Sequence, residues 1–414
     1  MMRSALLIGF VLGASSLSAQ DPELPISVFA GRVLDGKGGQ FRNATVIIDR
    51  GRILRIEPRR VDRPTFEFPN GTVMPGLIDI HVHATAYVNR KGRVHTDGDG
   101  DTPTQVALST VANAARTIQA GFTTVASIGG ADDLDLRDWI ARGGVIGPRI
   151  LTSLDPITDP SLSPEQLAAV VEQRVAAGAN LIKLFASKSI RDGGVPTMSE
   201  VQLKAACDAA RRLGVPSIVH AHSAESIRAA ATAGCHQVEH GVFATQEVLD
   251  LMAKQGTYFD PQCGLVFRNY LDNRRWFQGI GNFTDAGFAA MERAIPLAVA
   301  VVRNAAATPG LKLVYGTDAV AGAHGRNAED LVCRVRLAGL RPMDVIVSAT
   351  SRNAEALMIG KETGSIAPGM AADLIAVRGN PLDDITGLNQ VVFVMKNGTV
   401  VRHDPTLASA RSFR

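Results

Sequence analysis

The feature that most constrains this chain is a repeated alternation of short apolar strands with capped helices between residues 74 and 359. Ser163-Pro164-Glu165-Gln166 is a capping box with proline at the first helical position; it opens a helix to about Ala177, which Gly178 stops. Leu181 to Phe185 reads as a strand. Ser199 to Leu213 reads as a second helix, with Ser199 as N-cap, Gln202 three residues on and Gly214 just past its end. The series continues with strand Pro216 to His220, helix Ala224 to Ala233, strand His236 to Glu239, helix Thr245 to Lys254 and strand Thr257 to Phe259. Leu311 to Tyr315 is a further strand before Gly316. Repeated βα units over this length predict an α/β protein whose body is a (β/α)8 TIM barrel. A doubly wound open sheet is the alternative, with the weakness that no Gly-x-Gly-x-x-Gly follows the first strand.

Both ends of the chain read as β-structure. Strands are expected at Val28 to Val33, Ala44 to Ile48 and Ile53 to Ile56, and again at Asp373 to Val377, Val391 to Met395 and Thr399 to Arg402. Asn397-Gly398 supplies the last hairpin turn, because both residues tolerate positive φ. Two β-rich ends predict a small flanking β-sandwich built from both termini. Met1 to Ala19 reads as a signal peptide, with Arg3 as its positive n-region. Its apolar stretch, Ala5 to Ala14, is too short to span a bilayer, and small residues lead to a cleavage site after Ala19. The expected organisation is therefore signal peptide 1–19, sandwich 20–73, barrel 74–359 and sandwich 360–414, in a secreted or periplasmic protein.

Of the 414 residues, 46% are hydrophobic and 20% charged, enough to bury a large core. With 43 basic and 40 acidic residues, the even balance argues against a nucleic acid or an anionic membrane as the main partner. Neither partner is expected once the signal is removed, and a homo-oligomer is left open. The four cysteines, Cys207, Cys235, Cys263 and Cys333, form no CxxC and suggest neither a zinc finger, a redox motif nor a disulfide scaffold.

Most of the nine histidines fall where strands should end. In Asp79-Ile80-His81-Val82-His83 the two imidazoles are two residues apart, so on a strand they face one side and can share a metal. Lys183 sits inside the apolar strand Leu181 to Phe185. It is either an edge lysine reaching water or an amine that burial leaves free to react with CO2, giving a two-oxygen carbamate ligand. His220 and His222 end the next strand, and His240 ends the one after, following Glu239. Asp318 follows Gly316-Thr317. Neutral imidazoles suit zinc and similar metals. Asp97-Gly98-Asp99-Gly100-Asp101 lacks the glutamate of a calcium loop and reads as an ordinary acidic loop. His95, His236 and His403 are read as structural.

The sequence resembles the amidohydrolase superfamily over nearly all of the chain that follows the signal. The resemblance rests on Pro75-Gly76-Leu77-Ile78-Asp79-x-His81-x-His83, on Gly316-Thr317-Asp318-Ala319 and on Gly364-x-Ile366-x-Pro368-Gly369-x-x-Ala372-Asp373-Leu374. Within it, the His-Ala-His and Glu-His-Gly motifs are similar to those of the imidazolonepropionase-related branch, with its prolidase-like dipeptidases and ochratoxin-hydrolysing amidohydrolases. The resemblance implies two divalent metal ions, with zinc the expected metal. His81, His83 and Asp318 would hold one, His220 and His240 the other, and N-carboxylated Lys183 would bridge them. Many members carry two glycines soon after that lysine, whereas here Gly193-Gly194 come later.

The function this implies is hydrolysis of an amide or peptide bond in a dipeptide or N-acyl amino acid by metal-activated hydroxide. Asp318 would serve as general base and then acid. His222 is a candidate for the substrate's carboxylate or carbonyl oxygen, or else a supporting hydrogen bonder. His324, in a glycine-bracketed loop, would orient Asp318 or bind substrate, unless it is merely exposed. Arg268 to Trp276, rich in arginine and aromatics, would grip a carboxylate or form a solvated lid helix. Lactone, cyclic-amide or phosphotriester hydrolysis is the alternative chemistry. A non-catalytic binding protein is the alternative of another class, disfavoured by the complete ligand set.

Overall fold

The computed structural model describes residues 25–404. The expected signal peptide, Met1 to Ala19, and the outermost residues of both expected sandwich segments lie outside them. Strand β1 (Ile26–Leu34) pairs antiparallel with β2 (Gln40–Asp49), which pairs with β3 (Arg52–Glu57). On its other edge β1 takes β4 (Phe66–Pro75) in parallel.

The chain then enters the alternating region. Its strands are β5 (Leu77–Val82), β6 (Phe122–Ser127), β7 (Arg149–Thr152), β8 (Ile182–Phe185), β9 (Ser217–Ala221), β10 (Gln237–His240), β11 (Tyr258–Asp260) and β12 (Lys312–Leu313). Its helices are α1 (Pro103–Gln119), α2 (Asp133–Ala141), α3 (Pro164–Ala176), α4 (Glu200–Arg212), α5 (Ala224–Thr232), α6 (Gln246–Gln255), α7 (Leu265–Asp272), α8 (Arg274–Phe277), α9 (Asp285–Ala307), α10 (Ala328–Arg336), α11 (Pro342–Ser348) and α12 (Ser351–Ala356). The capping boxes read at Ser163 and Ser199 are both formed, and Thr102 with Gln105 makes a third.

After α12 the chain returns through β13 (Leu374–Arg378), β14 (Val391–Lys396) and β15 (Thr399–His403). These join β4, so strands from both ends form one seven-stranded sheet in the order β15-β14-β13-β4-β1-β2-β3. Val28, Val46, Phe68, Leu374 and Phe393 bury its apolar side.

Two all-parallel sheets build the body, β5-β6-β7 and β12-β11-β10-β9-β8. The protein is thus α/β. Backbone bonds link the free edges of these sheets. On one side Ile80 N donates to Tyr315 O (3.1 Å) and Asp318 N to His81 O (2.8 Å). On the other, Ile157 N donates to Lys183 O (2.9 Å) and Phe185 N to Ile157 O (3.1 Å). The apolar core fills the space between the five-stranded sheet and α3 to α6, with Leu167, Leu203, Ile227 and Leu249 facing Leu184, Val219 and Val238.

The strand expected at Leu311 to Tyr315 is shorter, Lys312–Leu313. The next amides leave the ladder for side chains: Tyr315 N donates to Asn353 Oδ1 (2.9 Å), Gly316 N to Asp260 Oδ1 (2.7 Å) and Thr317 N to Asp79 Oδ1 (3.1 Å). In the acidic loop, Asp99 accepts from Asn89 and Thr96, and Asp101 from the Tyr87 hydroxyl, which is ordinary loop scaffolding. No helix among the described residues is long and apolar enough to cross a membrane.

The cysteines correct the sequence reading. Cys207 of α4 is bonded to Cys235 ahead of β10, and Cys263 ahead of α7 to Cys333 of α10. Their separations of 28 and 70 residues carry no pairing signal; packing brings the Cα atoms to 5.1 and 5.9 Å. Replacing Cys207 and Cys235 together by alanine should lower the unfolding free energy by about 2–4 kcal/mol, since the open chain regains loop entropy. Denaturant midpoints under non-reducing conditions measure this, and an unchanged midpoint contradicts it.

Candidate functional site

The site is organised by one buried carboxylate. Asp79, on β5, accepts four hydrogen bonds: from His81 N (3.1 Å), Thr317 N (3.1 Å), Thr317 Oγ1 (2.6 Å) and Asn327 Nδ2 (2.7 Å). Burial pushes its carboxyl up to about 6, and these donors hold the rise in check. The network clamps β5 to the segment that carries Asp318. Gly316 is required between them, because a Cβ there would lie 2.2 Å from Asp260 Oδ2 and 2.7 Å from His81 Cβ. Gly129 likewise makes room for the His83 ring.

His81, His83 and Asp318 converge as the strand period predicts. Asp318 Oδ1 lies 3.2 Å from His81 Nε2 and 3.0 Å from His83 Nε2. Burial pushes the Asp318 carboxyl up, but the two imidazoles outweigh it and hold it well below the usual carboxylate range. The second group is His220, His222 and His240, whose nitrogens approach within 4.8 Å of one another. Burial, reinforced by neighbouring charge, holds His220 and His240 well below the ordinary imidazole value, and burial brings His222 down to about 3 against the opposing pull of Asp318. All three are therefore neutral, the form that coordinates metals. The buried Nδ1 of His222 has no hydrogen-bond partner among the described residues.

Lys183 is buried at 1% exposure, which decides against an edge lysine reaching water, and its amine meets the Glu239 carboxylate. The other oxygen of Glu239 lies 3.1 Å from His81 Nδ1. Burial pushes His81 down, but Glu239 and Asp318 outweigh it and raise it to about 9. Two carboxylates thus call for positive charge at this histidine, and a bound cation can supply it. The donors fit a divalent metal pair: neutral imidazoles beside anionic oxygens, in three overlapping groups that share His81 and His240.

Sequence spacing alone does not mark Glu239 as a site residue. Strand alternation would turn it away from a centre that His240 faces. His240 breaks the alternation with φ of 69°, so both residues reach the same centre. Asp318 also has positive φ, 54°. Non-glycine residues pay for this conformation, and such strain clusters at functional sites. A glutamate beside a candidate ligand on an apolar strand was the available signal.

A cavity of about 300 Å³ opens over the donors, with His81, His83, Lys183, His220, His222, His240 and Asp318 at its base. Its walls are Phe185, Val266, Phe267, Tyr270, Phe277 and Phe283, among others. The Arg268 to Trp276 stretch forms helices α7 and α8 and contributes Tyr270. Its arginines do not line the cavity; Arg274 instead pairs with Asp285 at 2.5 Å. Arg191, unremarked in the sequence, does line it. His324 stands apart, its Nε2 3.2 Å from Ala86 O, in a separate hollow of about 510 Å³. Burial lowers it to about 4.

The sequence model of the amidohydrolase family matches residues 72–401. Ochratoxinase of Aspergillus niger is 24% identical over 91% of this chain and 86% of that protein. A solved Xaa-Pro dipeptidase with methionine bound in its active site is 30% identical, with a TM-score of 0.81 over 91% of this chain and 100% of that one. The crystal structure of the A. niger ochratoxinase superimposes with a TM-score of 0.77 at 22% identity, over 92% of this chain and 96% of that one, a likeness of fold.

Glu239→Gln removes the charge that orients His81 and Lys183. Loss of such a partner typically costs ~10–100-fold in metal affinity. Competition with a chromophoric chelator should show a loss of that size with an unchanged far-UV spectrum; unaltered affinity contradicts the positioning role.

Proposed function

The chain belongs to the amidohydrolase family, and on that premise we propose that it is an exported binuclear metallohydrolase of dipeptides or N-acyl amino acids. It is an enzyme, a hydrolase of amide bonds. The finer reading closes the parallel strands into a (β/α)8 barrel flanked by a β-sandwich; the hydrogen bonds across both sheet edges support this. Active sites of such barrels lie at the C-terminal ends of the strands, where these donors gather.

The observation that carries the proposal is the convergence of seven metal-binding and proton-transferring side chains on one aromatic-walled cavity. His81, His83 and Asp318 are assigned to one ion and His220 and His240 to the other, with zinc the proposed metal. Lys183, were its free amine to add CO2 and release a proton, would become a carbamate able to hold both. Bound divalent ions would polarise the scissile carbonyl and lower the pKa of water toward neutrality. Asp318, held ionised by His81 and His83, takes the proton of the attacking water. It then returns that proton to the leaving nitrogen, so one carboxylate serves both halves of the reaction. His222, neutral and close to His220 and His240, is placed to contact the substrate's carbonyl oxygen. The aromatic walls exclude water and accept an apolar acyl group or side chain. One similar structure is named a Xaa-Pro dipeptidase, an enzyme that cleaves a peptide bond, which supports this substrate class. The two disulfides support export, since such bonds persist in oxidising compartments.

Metal analysis alongside a panel of dipeptides and N-acyl amino acids tests the reading. Two ions per chain and hydrolysis abolished by a chelator are expected; a metal-loaded protein inert to the whole panel refutes it. Asp318→Asn should keep the fold and lower kcat ~10²–10⁴-fold, because an amide cannot accept the proton. A near-native kcat excludes Asp318 as the base. Lys183→Ala should bind one fewer ion and lose most activity, with partial rescue by added short-chain carboxylates. Full metal content and normal rates would remove the bridging role.

A further inference from the structure

Arg191 lies in the turn Ile190–Asp192, after β8, and lines the donor cavity. It is held on two sides. Its Nε donates to Asn282 Oδ1 at 2.7 Å, and Asn282 in turn donates through Nδ2 to Asp192 Oδ2 at 2.5 Å. Its guanidinium carbon lies 4.0 Å from the centre of the Phe283 ring and 5.5 Å from that of Tyr270. Stacking and one side-chain bond fix the plane of the guanidinium while using a single N–H. Among the described residues no backbone carbonyl or carboxylate accepts from the terminal nitrogens, and the Tyr270 side chain lies against them.

A planar cation with a fixed orientation and free donors matches a carboxylate, which it can bind through two parallel hydrogen bonds. Around it, Phe267, Tyr270, Phe277, Ile280 and Phe283 make an apolar wall. Tyr270, Phe277 and Phe283 pack together, with ring centres 4.8 to 5.2 Å apart. We propose that Arg191 anchors the substrate's C-terminal carboxylate and that this wall receives an apolar side chain on the same residue. The inference rests on the amide-hydrolase reading and narrows it to substrates whose leaving group is an apolar or aromatic amino acid. It also moves the carboxylate contact away from the arginines of Arg268 to Trp276 and from His324, which line other surfaces. Asn282 and Asp192 are the positioning residues for this anchor.

The free amino acid is the product such a cleavage releases, so its binding probes the subsite without turnover. Calorimetry on the metal-loaded enzyme would use L-phenylalanine, L-phenylalaninamide and glycine. The wild type should bind L-phenylalanine at least tenfold more tightly than either of the others, the scale of a charge-assisted contact. Arg191→Met should lose at least tenfold for the acid and change the amide by less than twofold. Arg191→Lys, which keeps the charge without the fork, should fall between and carries the test should the methionine variant not fold. Equal binding of acid and amide by the wild type, or an acid preference that survives in both variants, overturns the anchor. If that preference depends on Arg191 but no dipeptide or N-acyl amino acid is cleaved, the hydrolase reading falls and the anchor stands. If acid and amide substrates are cleaved equally and the products bind alike, the anchor falls and the hydrolase reading stands.

Discussion

The structure depends on the four hydrogen bonds accepted by Asp79. Three of them tie the first strand of the alternating region to the segment that follows its last strand, more than two hundred residues later, and the fourth, from His81 N, fixes the turn of β5 itself. Two consequences follow from one carboxylate. The sheet edges are drawn together, and the imidazoles of His81 and His83 are fixed opposite Asp318. A second buried assembly stands beside it: Arg334 bridges Asp260 and Asp330, and Asp260 receives the Gly316 amide. Asp330 also accepts from the amides of Cys263, Gly264 and Leu265 at the start of α7. The scaffold of the donors and the wall of the cavity therefore share one ionic framework. Breaking such a pair leaves a buried charge uncompensated, typically at ~3–5 kcal/mol.

What the sequence disclosed follows from the physics of each element. His81 and His83 were legible because a strand repeats every two residues. Lys183, His220, His240 and Asp318 were legible because polar groups ending apolar strands need a reason to be there. The capping boxes at Ser163 and Ser199 are local chemistry and appeared where expected. Glu239 was hidden by the same alternation that revealed the histidine pair, since the left-handed backbone of His240 suspends the rule. Arg191 was hidden because its meaning comes from Asn282, ninety-one residues along, and from rings on other elements. Strand β12 is short because its neighbours' amides bond to side chains, which no strand pattern encodes. The cysteine pairs are tertiary facts.

Electrostatics at the site are balanced rather than uniform. Asp318 and Glu239 are anionic, His220, His222 and His240 are held neutral by burial, and Arg191 brings a guanidinium to the wall. One lysine is buried against a carboxylate at the base, and one arginine is stacked at the wall with donors to spare. A molecule entering between them would meet neutral imidazoles and an ionised carboxylate below, aromatic surface beside it and a guanidinium at one end. That asymmetry gives the cavity a direction.

The seven-stranded sheet imposes an order on how the molecule can be made. Its central pairing joins β4, near the start of the chain, to β13, near the end. As the polypeptide emerges, β1 to β4 can assemble, but β4 keeps an unpaired edge until some three hundred further residues have been made. An open strand edge is a template for unwanted pairing. Long-range pairings of this kind are also slow to form, because loop closure precedes any gain. The flanking sheet is thus a late seal: the whole alternating body must be synthesised before its own two ends can meet.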